Sequence, residues 1–255
     1  MRIHEKLCYS ERVNPWHYMN LYLPDNGDTF PVFIYFHGGG LVHGDENVGS
    51  DTWVKHLTDR GVAVLSAQYR LYPEAKYPDF LDDGAHVIAW VKSAMTEYCN
   101  VKSIYVGGSS AGGYISMMLC FDPQFREKYG IAPMDVSGYV FDAGQPTTHF
   151  SVLSERGINS NRQIIDDAAP IYHIGEEKTY PPMLILVADN DMKNRYEQTL
   201  LMMDTLRWNG HENFEFELLH CSHCRYVNRI DENGESIFGK RVYNFIEKTS
   251  RKEDE

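Results

Sequence analysis

The chain has 255 residues, with 24 Lys plus Arg against 36 Asp plus Glu, a net charge of −12. That acidic surplus excludes a nucleic-acid backbone or an anionic membrane surface as the main partner, and a 43% hydrophobic, 24% charged composition excludes global disorder. No apolar run approaches the ~18 residues of a membrane-crossing helix, and the N-terminus has no secretory apolar segment. Five cysteines at irregular spacing, Cys8, Cys99, Cys120, Cys221 and Cys224, read as reduced thiols of a cytoplasmic protein. Residues 251–255, RKEDE, read as a solvated tail.

In chain order, residues 17–23 read as a strand closed by Pro24 and Asn26-Gly27. Pro31 opens the apolar run 32–36, of the kind buried on both faces of a parallel sheet. Strands follow at 62–65 and 104–106, more weakly at 138–141, and again at 183–187 and 214–219. Helices fall between them. Phe80, Leu81, Gly84, Val87, Ile88, Val91, Ala94 and Met95 share one face at spacings of three and four, and an apolar helix follows Ser110. Tyr196, Leu200, Met203 and Leu206 form another stripe, and Phe238, Val242, Phe245 and Ile246 a third. Each stripe reads as the core face of a helix. No repeat or linker divides the chain, so residues 1–255 read as a single domain. Strand–helix alternation implies a mostly parallel sheet with helices on both faces, and in such sheets chemistry sits at the carboxyl ends of the strands.

Two glycine motifs stand at such ends. Gly108, Ser110 and Gly112 make G-x-S-x-G between a strand and a helix. Glycines two residues either side let a serine occupy the tip of a strained turn, its hydroxyl clear of the sheet at a helix N-terminus. The competing reading is a turn that binds phosphate or merely packs tightly, but no Gly-Lys-Ser/Thr follows. The second motif, His37-Gly38-Gly39-Gly40, directly follows the run 32–36. About 0.005 chance copies of that tetrapeptide are expected from this composition, against about 0.1 for the first motif, so the pair together is informative. Acyl transfer passes through a tetrahedral oxyanion that needs fixed N–H donors, and consecutive glycines turn backbone amides toward a pocket with no side chain in the way. His37 is then a structural residue of that loop or part of the site.

These motifs, with Tyr69-Arg70-Leu71-Tyr72-Pro73-Glu74 and Tyr77-Pro78-Asp79 between them, resemble the α/β-hydrolase fold, close to the esterase/lipase group that includes hormone-sensitive-lipase-like esterases. The resemblance runs from about residue 35 to 223. It implies a sheet of about eight strands and a serine carboxylic ester hydrolase working through an acyl-enzyme. Ser110 would be the nucleophile, and the backbone amides of Gly39, Gly40 and Ala111 the oxyanion donors. A serine needs a base, itself held by an acid. Asp189 and Asp191 both follow the strand at 183–187, and His220 and His223 both follow that at 214–219. The family's order and spacing favour Asp191 and His223, with Cys224 standing where the family carries glycine. Cys221 and Cys224 could supply half a zinc site, but no second pair matches them. The expectation is therefore no metal and no organic cofactor, with a small-molecule ester as partner.

Only 36 residues precede His37. The long N-terminal cap of hormone-sensitive-lipase-like esterases is thus not expected, and the compact form is similar to small acetyl or feruloyl esterases and kynurenine-formamidase-like hydrolases. Residues 142–180 are then the candidate short lid. With Asp166-Asp167 and Glu176-Glu177-Lys178 they are too polar for a long acyl channel. They offer His149 and Phe150 as substrate-binding residues, and Tyr172 and Tyr180 as further aromatics that either line a small pocket or pack the segment down. The expected substrates are short acyl esters, acetyl to butyryl, including acetylated or feruloylated carbohydrate. An arylformamidase-like amidase, a small peptidase and a catalytically silent ligand-binding fold are the alternatives.

Overall fold

In the computed structural model, which describes residues 1–11 and 14–253, the apolar runs assemble into one eight-stranded sheet. The strands are β1 (Arg2–Cys8), β2 (Tyr18–Leu23), β3 (Thr29–Phe36), β4 (Ala63–Ala67), β5 (Asn100–Ser109), β6 (Gly138–Asp142), β7 (Met183–Asn190) and β8 (Phe214–Ser222). Their order is β1-β2-β4-β3-β5-β6-β7-β8. β2 pairs antiparallel with both β1 and β4, and every pairing from β4 to β8 is parallel.

The helices are α1 (Thr52–Thr58), α2 (Asp79–Ala94), α3 (Ala111–Phe121), α4 (Pro123–Glu127), α5 (Phe150–Glu155), α6 (Arg195–Trp208) and α7 (Ile237–Glu253). Two apolar cores cover the two faces of the sheet. One gathers Phe80, Leu81, Val87 and Ile88 of α2, Ile115 and Met118 of α3, and Met202, Met203 and Leu206 of α6. The other gathers Trp53, Val54 and Leu57 of α1 with Phe238, Val242, Phe245 and Ile246 of α7. Burial on both faces is why the central strands read as unbroken apolar runs.

Three expectations are adjusted. β1 carries no apolar signal because it is an edge strand, half-exposed along its length. The buried face of α6 is Arg195, Gln198, Thr199, Met202, Met203 and Leu206, so Tyr196 and Leu200 lie at its margin; polar residues on that face blur the apolar period. The expected tail at 251–255 is helical through Glu253, and residues 254–255 lie outside the described residues. Among the described residues no helix is long and apolar enough to cross a membrane.

Candidate active site

β5 ends at Ser109 and α3 begins at Ala111, which leaves Ser110 alone in the turn at φ 57°, ψ −111°. A non-glycine residue in this region carries roughly 1–3 kcal/mol of strain and persists only where its surroundings over-determine it. They do so here. The Ser110 N–H donates to the Asp142 carbonyl at 2.8 Å, and the Ser110 carbonyl accepts from Tyr114 N–H at 3.0 Å. A Cβ on Gly112 would lie 1.8 Å from the Phe36 carbonyl oxygen, and one on Gly108 2.4 Å from the same atom. The two motif glycines are therefore what lets the turn close against the end of β3.

The Ser110 hydroxyl faces His223, its Oγ 2.9 Å from Nε2. The opposite ring nitrogen, Nδ1, lies 2.5 Å from Oδ1 of Asp191. That carboxylate is 1% exposed and also accepts from the Met192 N–H at 2.6 Å. The alternatives considered from sequence, Asp189 and His220, pair with each other at 2.7 Å on the solvent side, His220 being 84% exposed. The register explains the split. Ala188 pairs with Leu219 but Asn190 with Ser222, so one residue of β7 opposes two of β8 at this point. The bulge rotates the strand ends and turns Asp191 and His223 inward while Asp189 and His220 face out.

The His37-Gly38-Gly39-Gly40 loop forms the opposite wall. Gly39 has φ 111°, and a Cβ there would meet the His43 carbonyl oxygen at 1.8 Å. Gly39 and Gly40 line the same cleft as Ser110 and His223, and Ala111 opens α3 beside it. His37 does not reach the cleft chemistry. It is stacked on Tyr69 with ring centroids 4.4 Å apart, its Nε2 lies 2.6 Å from Gln68 Oε1, and its carbonyl accepts from the Tyr69 hydroxyl at 2.7 Å. Burial holds its pKa below the usual range, which favours the neutral ring. The Tyr69-to-Glu74 segment thus scaffolds the glycine loop: Tyr72 N–H also bonds the Leu41 carbonyl at 2.8 Å, and Arg70 forks onto buried Asp83.

A family model described as alpha/beta hydrolase fold matches residues 33–236. The chain belongs to this family. Among its relatives, a probable carboxylic ester hydrolase, LipM, of Mycobacterium tuberculosis is 28% identical over 197 residues, 70% of this chain and 45% of that protein. The gibberellin receptor GID1B of Arabidopsis thaliana is 41% identical over 94 residues, 35% of this chain and 26% of the receptor. The chain spans less than half the length of these curated relatives. In structure it is similar to esterase B from Lactobacillus rhamnosis inhibited by a tributyrin phosphonate, with TM-score 0.82, 18% identity, and coverage of 99% of this chain and 87% of that one. A truncated carbohydrate esterase from gut microbiota gives TM-score 0.78 at 17% identity, over 98% and 97% of the two chains.

In this α/β-hydrolase the cleft over Ser110 has a volume of about 660 Å³, walled by Val42, Phe150, Met192, Cys224 and Val227. Phe150 stands in the wall against Gly40. His149 is a correction to the sequence reading. It is buried behind Phe150, where it caps α5 by accepting the Ser151 N–H at 3.2 Å, and burial depresses its pKa strongly. A helix needs a cap at its first turn, and that requirement places the ring inside. Tyr180 is likewise a packing residue, its hydroxyl accepting from Gly175 N–H at 3.0 Å and donating to the His173 carbonyl, while Tyr172 is exposed. Residues 142–180 are tied down at the cleft edge: the Ser151 hydroxyl donates to the Gly40 carbonyl at 2.5 Å, and Tyr114 Oη to the Ala168 carbonyl at 2.8 Å.

Cys224 Sγ lies 3.6 Å from His223 Nε2, and burial pushes its thiol pKa well up. Among the described residues, the group of side chains spaced to share an ion is Asp122, His173 and Glu176, not one containing Cys221 or Cys224. Both ring nitrogens of His173 are engaged there, with Glu176 at 3.0 Å and the Asp167 carbonyl at 2.9 Å.

Sequence reasoning missed Asp142. Its side chain is fully buried directly under the turn and accepts from the hydroxyls of Ser109 and Tyr226. Tyr35 in turn donates to Ser109 Oγ at 3.1 Å. Burial pushes the Asp142 pKa up to about 6. The carboxyl joins the serine turn to the segment just after His223. Lying at the end of a weak strand pattern, it gave no motif to notice.

Proposed function

We propose that this protein is a serine carboxylic ester hydrolase acting on short acyl esters through an acyl-enzyme. The observation that carries the reading is the unbroken chain from Ser110 Oγ to His223 Nε2 and from Nδ1 to Asp191. In the first step His223 takes the Ser110 proton as the oxygen attacks the ester carbonyl, and Asp191 holds the ring and stabilises the imidazolium. The tetrahedral oxyanion is received by the backbone N–H groups of Gly39, Gly40 and Ala111, at the N-terminus of α3. His223 then gives its proton to the departing alcohol. Water repeats the sequence on the acyl-Ser110 ester and releases the acid. The steps call on no metal or organic cofactor.

The names carried by LipM and by the inhibited esterase B support an ester substrate. The polar segment 142–180, which brings only Phe150 to the cleft wall, supports an acyl group of two to four carbons, and likeness to a carbohydrate esterase makes acetylated or feruloylated carbohydrate a natural class to assay. The gibberellin-receptor likeness favours a second reading, a silent ligand-binding fold. A serine-directed phosphonate separates the two. Stoichiometric labelling at Ser110, lost in Ser110→Ala and kept in Ser109→Ala, is expected. No labelling of the intact protein would reject the hydrolase.

A further inference from the structure

A second cavity, of about 510 Å³, lies beside the Ser110 cleft and shares Phe150 and Met192 with it. Its other walls are Gln145, from the loop after β6, Asn161 and Gln163, from the loop after α5, and Lys193, Arg195 and Gln198 around the start of α6. The lining holds two cations and several carboxamides but no carboxylate.

Arg195 is 3% exposed. Its guanidinium donates Nη1 to the Ala143 carbonyl at 2.5 Å and Nη2 to Gln145 Oε1 at 3.3 Å, both neutral acceptors. Among the described residues no carboxylate pairs with it, and Asp191, the acid whose charge it feels most, is already bonded to His223. Burial pulls its pKa down to about 10, so it stays charged at neutral pH. Charged side chains this deep are normally paired, because desolvation is otherwise uncompensated. A guanidinium has five N–H donors, more than these two contacts use.

Gln198 supplies an independent sign. It is 7% exposed, its amide donates to Gln163, and its Oε1 is buried with no partner. A native protein seldom leaves such an atom unmatched unless something else binds it. The N-terminus of α6 adds positive potential at the same place.

We propose that this cavity is a subsite for a carboxylate carried by the ester substrate, held by Arg195, with a hydroxyl next to it donating to Gln198. The proposal rests on the esterase reading above and deepens it: the preferred ester is one whose acyl or alcohol half is a hydroxylated acid. The cavity shares the Phe150 and Met192 walls with the Ser110 cleft, so a substrate spanning both would bring its carboxylate to Arg195 with its ester carbonyl at Ser110.

Matched ester pairs test this. p-Nitrophenyl hemisuccinate against p-nitrophenyl butyrate places the charge on the acyl half. 4-Acetoxybenzoate against phenyl acetate places it on the alcohol half. In the native enzyme at least one charged ester outruns its neutral partner in kcat/KM, and Arg195→Gln lowers that charged-to-neutral ratio roughly 10- to 100-fold, the range of a charge-assisted contact. Arg195→Lys lowers it less. Should the Arg195 variants not fold, calorimetric binding of malate and succinate to the Ser110→Ala protein stands in, with malate expected to bind tighter and to lose that margin in Gln198→Leu. Carboxylate binding without hydrolysis of any ester would retire the esterase reading and leave the subsite standing. Hydrolysis with no preference for either charged ester, a ratio unchanged in Arg195→Gln, or no carboxylate bound would each overturn the subsite and leave Arg195 a tie for the Ala143 carbonyl.

Discussion

Replacing Asp142 by Asn removes one buried charge and almost nothing else. The side chain has no solvent access and accepts two hydroxyl hydrogen bonds, from Ser109 and Tyr226. Asn keeps an acceptor for one hydroxyl and a donor for the other, since hydroxyls rotate to suit. The native carboxyl, with a pKa raised from the usual 3.8 to about 6 by burial, is harder to ionise in the fold than in the unfolded chain. Between those two values the folded protein holds a proton that the unfolded chain has lost, so stability falls as pH rises through the window and the loss is complete above about 6. At about 1.4 kcal/mol per pH unit the difference amounts to about 3 kcal/mol. Urea unfolding of wild type and Asp142→Asn from pH 4 to 7.5 measures it. Groups common to both proteins cancel in the difference, and the wild type should lose about 2.5 kcal/mol of this relative to the variant across that range, the rest falling below pH 4. A gap that stays constant with pH would refute the burial argument. The variant also loses a negative charge that helps stabilise protonated His223, so kcat/KM should fall by roughly tenfold.

His223→Gln should lower kcat by roughly 10⁴ and His220→Gln by less than about threefold, with the same split between Asp191→Asn and Asp189→Asn; equal losses in either pair would mean that the bulge does not sort them. Gly112→Ala places a methyl 1.8 Å from the Phe36 carbonyl oxygen, so thermal unfolding should show a loss of about 3 kcal/mol or more, and an unchanged Tm would contradict the close approach. On p-nitrophenyl esters, kcat/KM should peak between two and four carbons, because extra CH₂ groups gain their usual ~0.8 kcal/mol only where a channel buries them; an optimum at eight carbons would discard the short-chain reading. Exhaustive dialysis against a chelator should leave ester hydrolysis unaltered, and a loss restored by zinc would reopen Cys221 and Cys224 as ligands.

Parts of the architecture whose physical cause is local were legible from sequence. The runs at 32–36 and 183–187 read as strands because both their faces are buried, and α2 and α7 read as helices because one stripe of each meets a core. The strained turn at Ser110 was visible because it requires glycines at fixed offsets. What stayed hidden depends on distant partners. β1 is held by pairing to β2 rather than by apolar pattern. The buried polar face of α6, with Arg195 and Gln198, contradicts amphipathic logic and so disguised both the helix face and the cavity it lines. His149 looked like a pocket residue because composition cannot separate a ring that caps a helix from one that meets a ligand.

Register is what turns these separate segments into one candidate site. Phe36 of β3 pairs with Gly108 of β5, Ser109 pairs with Asp142 of β6, and Asn190 of β7 pairs with Ser222 of β8. The glycine loop, the serine, the acid and the histidine each begin one residue beyond these partners: His37, Ser110, Asp191 and His223. The glycine loop and the serine leave the sheet at nearly one level, whereas Asp142 is level with Leu186, so β7 and β8 run four residues further before Asp191 and His223 reach back over Ser110. Because the central strands are apolar on both faces, alternation alone does not fix their register; close contacts such as those of Gly108 and Gly112 against the Phe36 carbonyl do. Leu186, Ala188 and Leu219 pack this extension into the second core, so core packing together with the His223 hydrogen bonds sets the distance between Ser110 and His223. It follows that core substitutions under β7 or β8 should disturb activity before they unfold the protein.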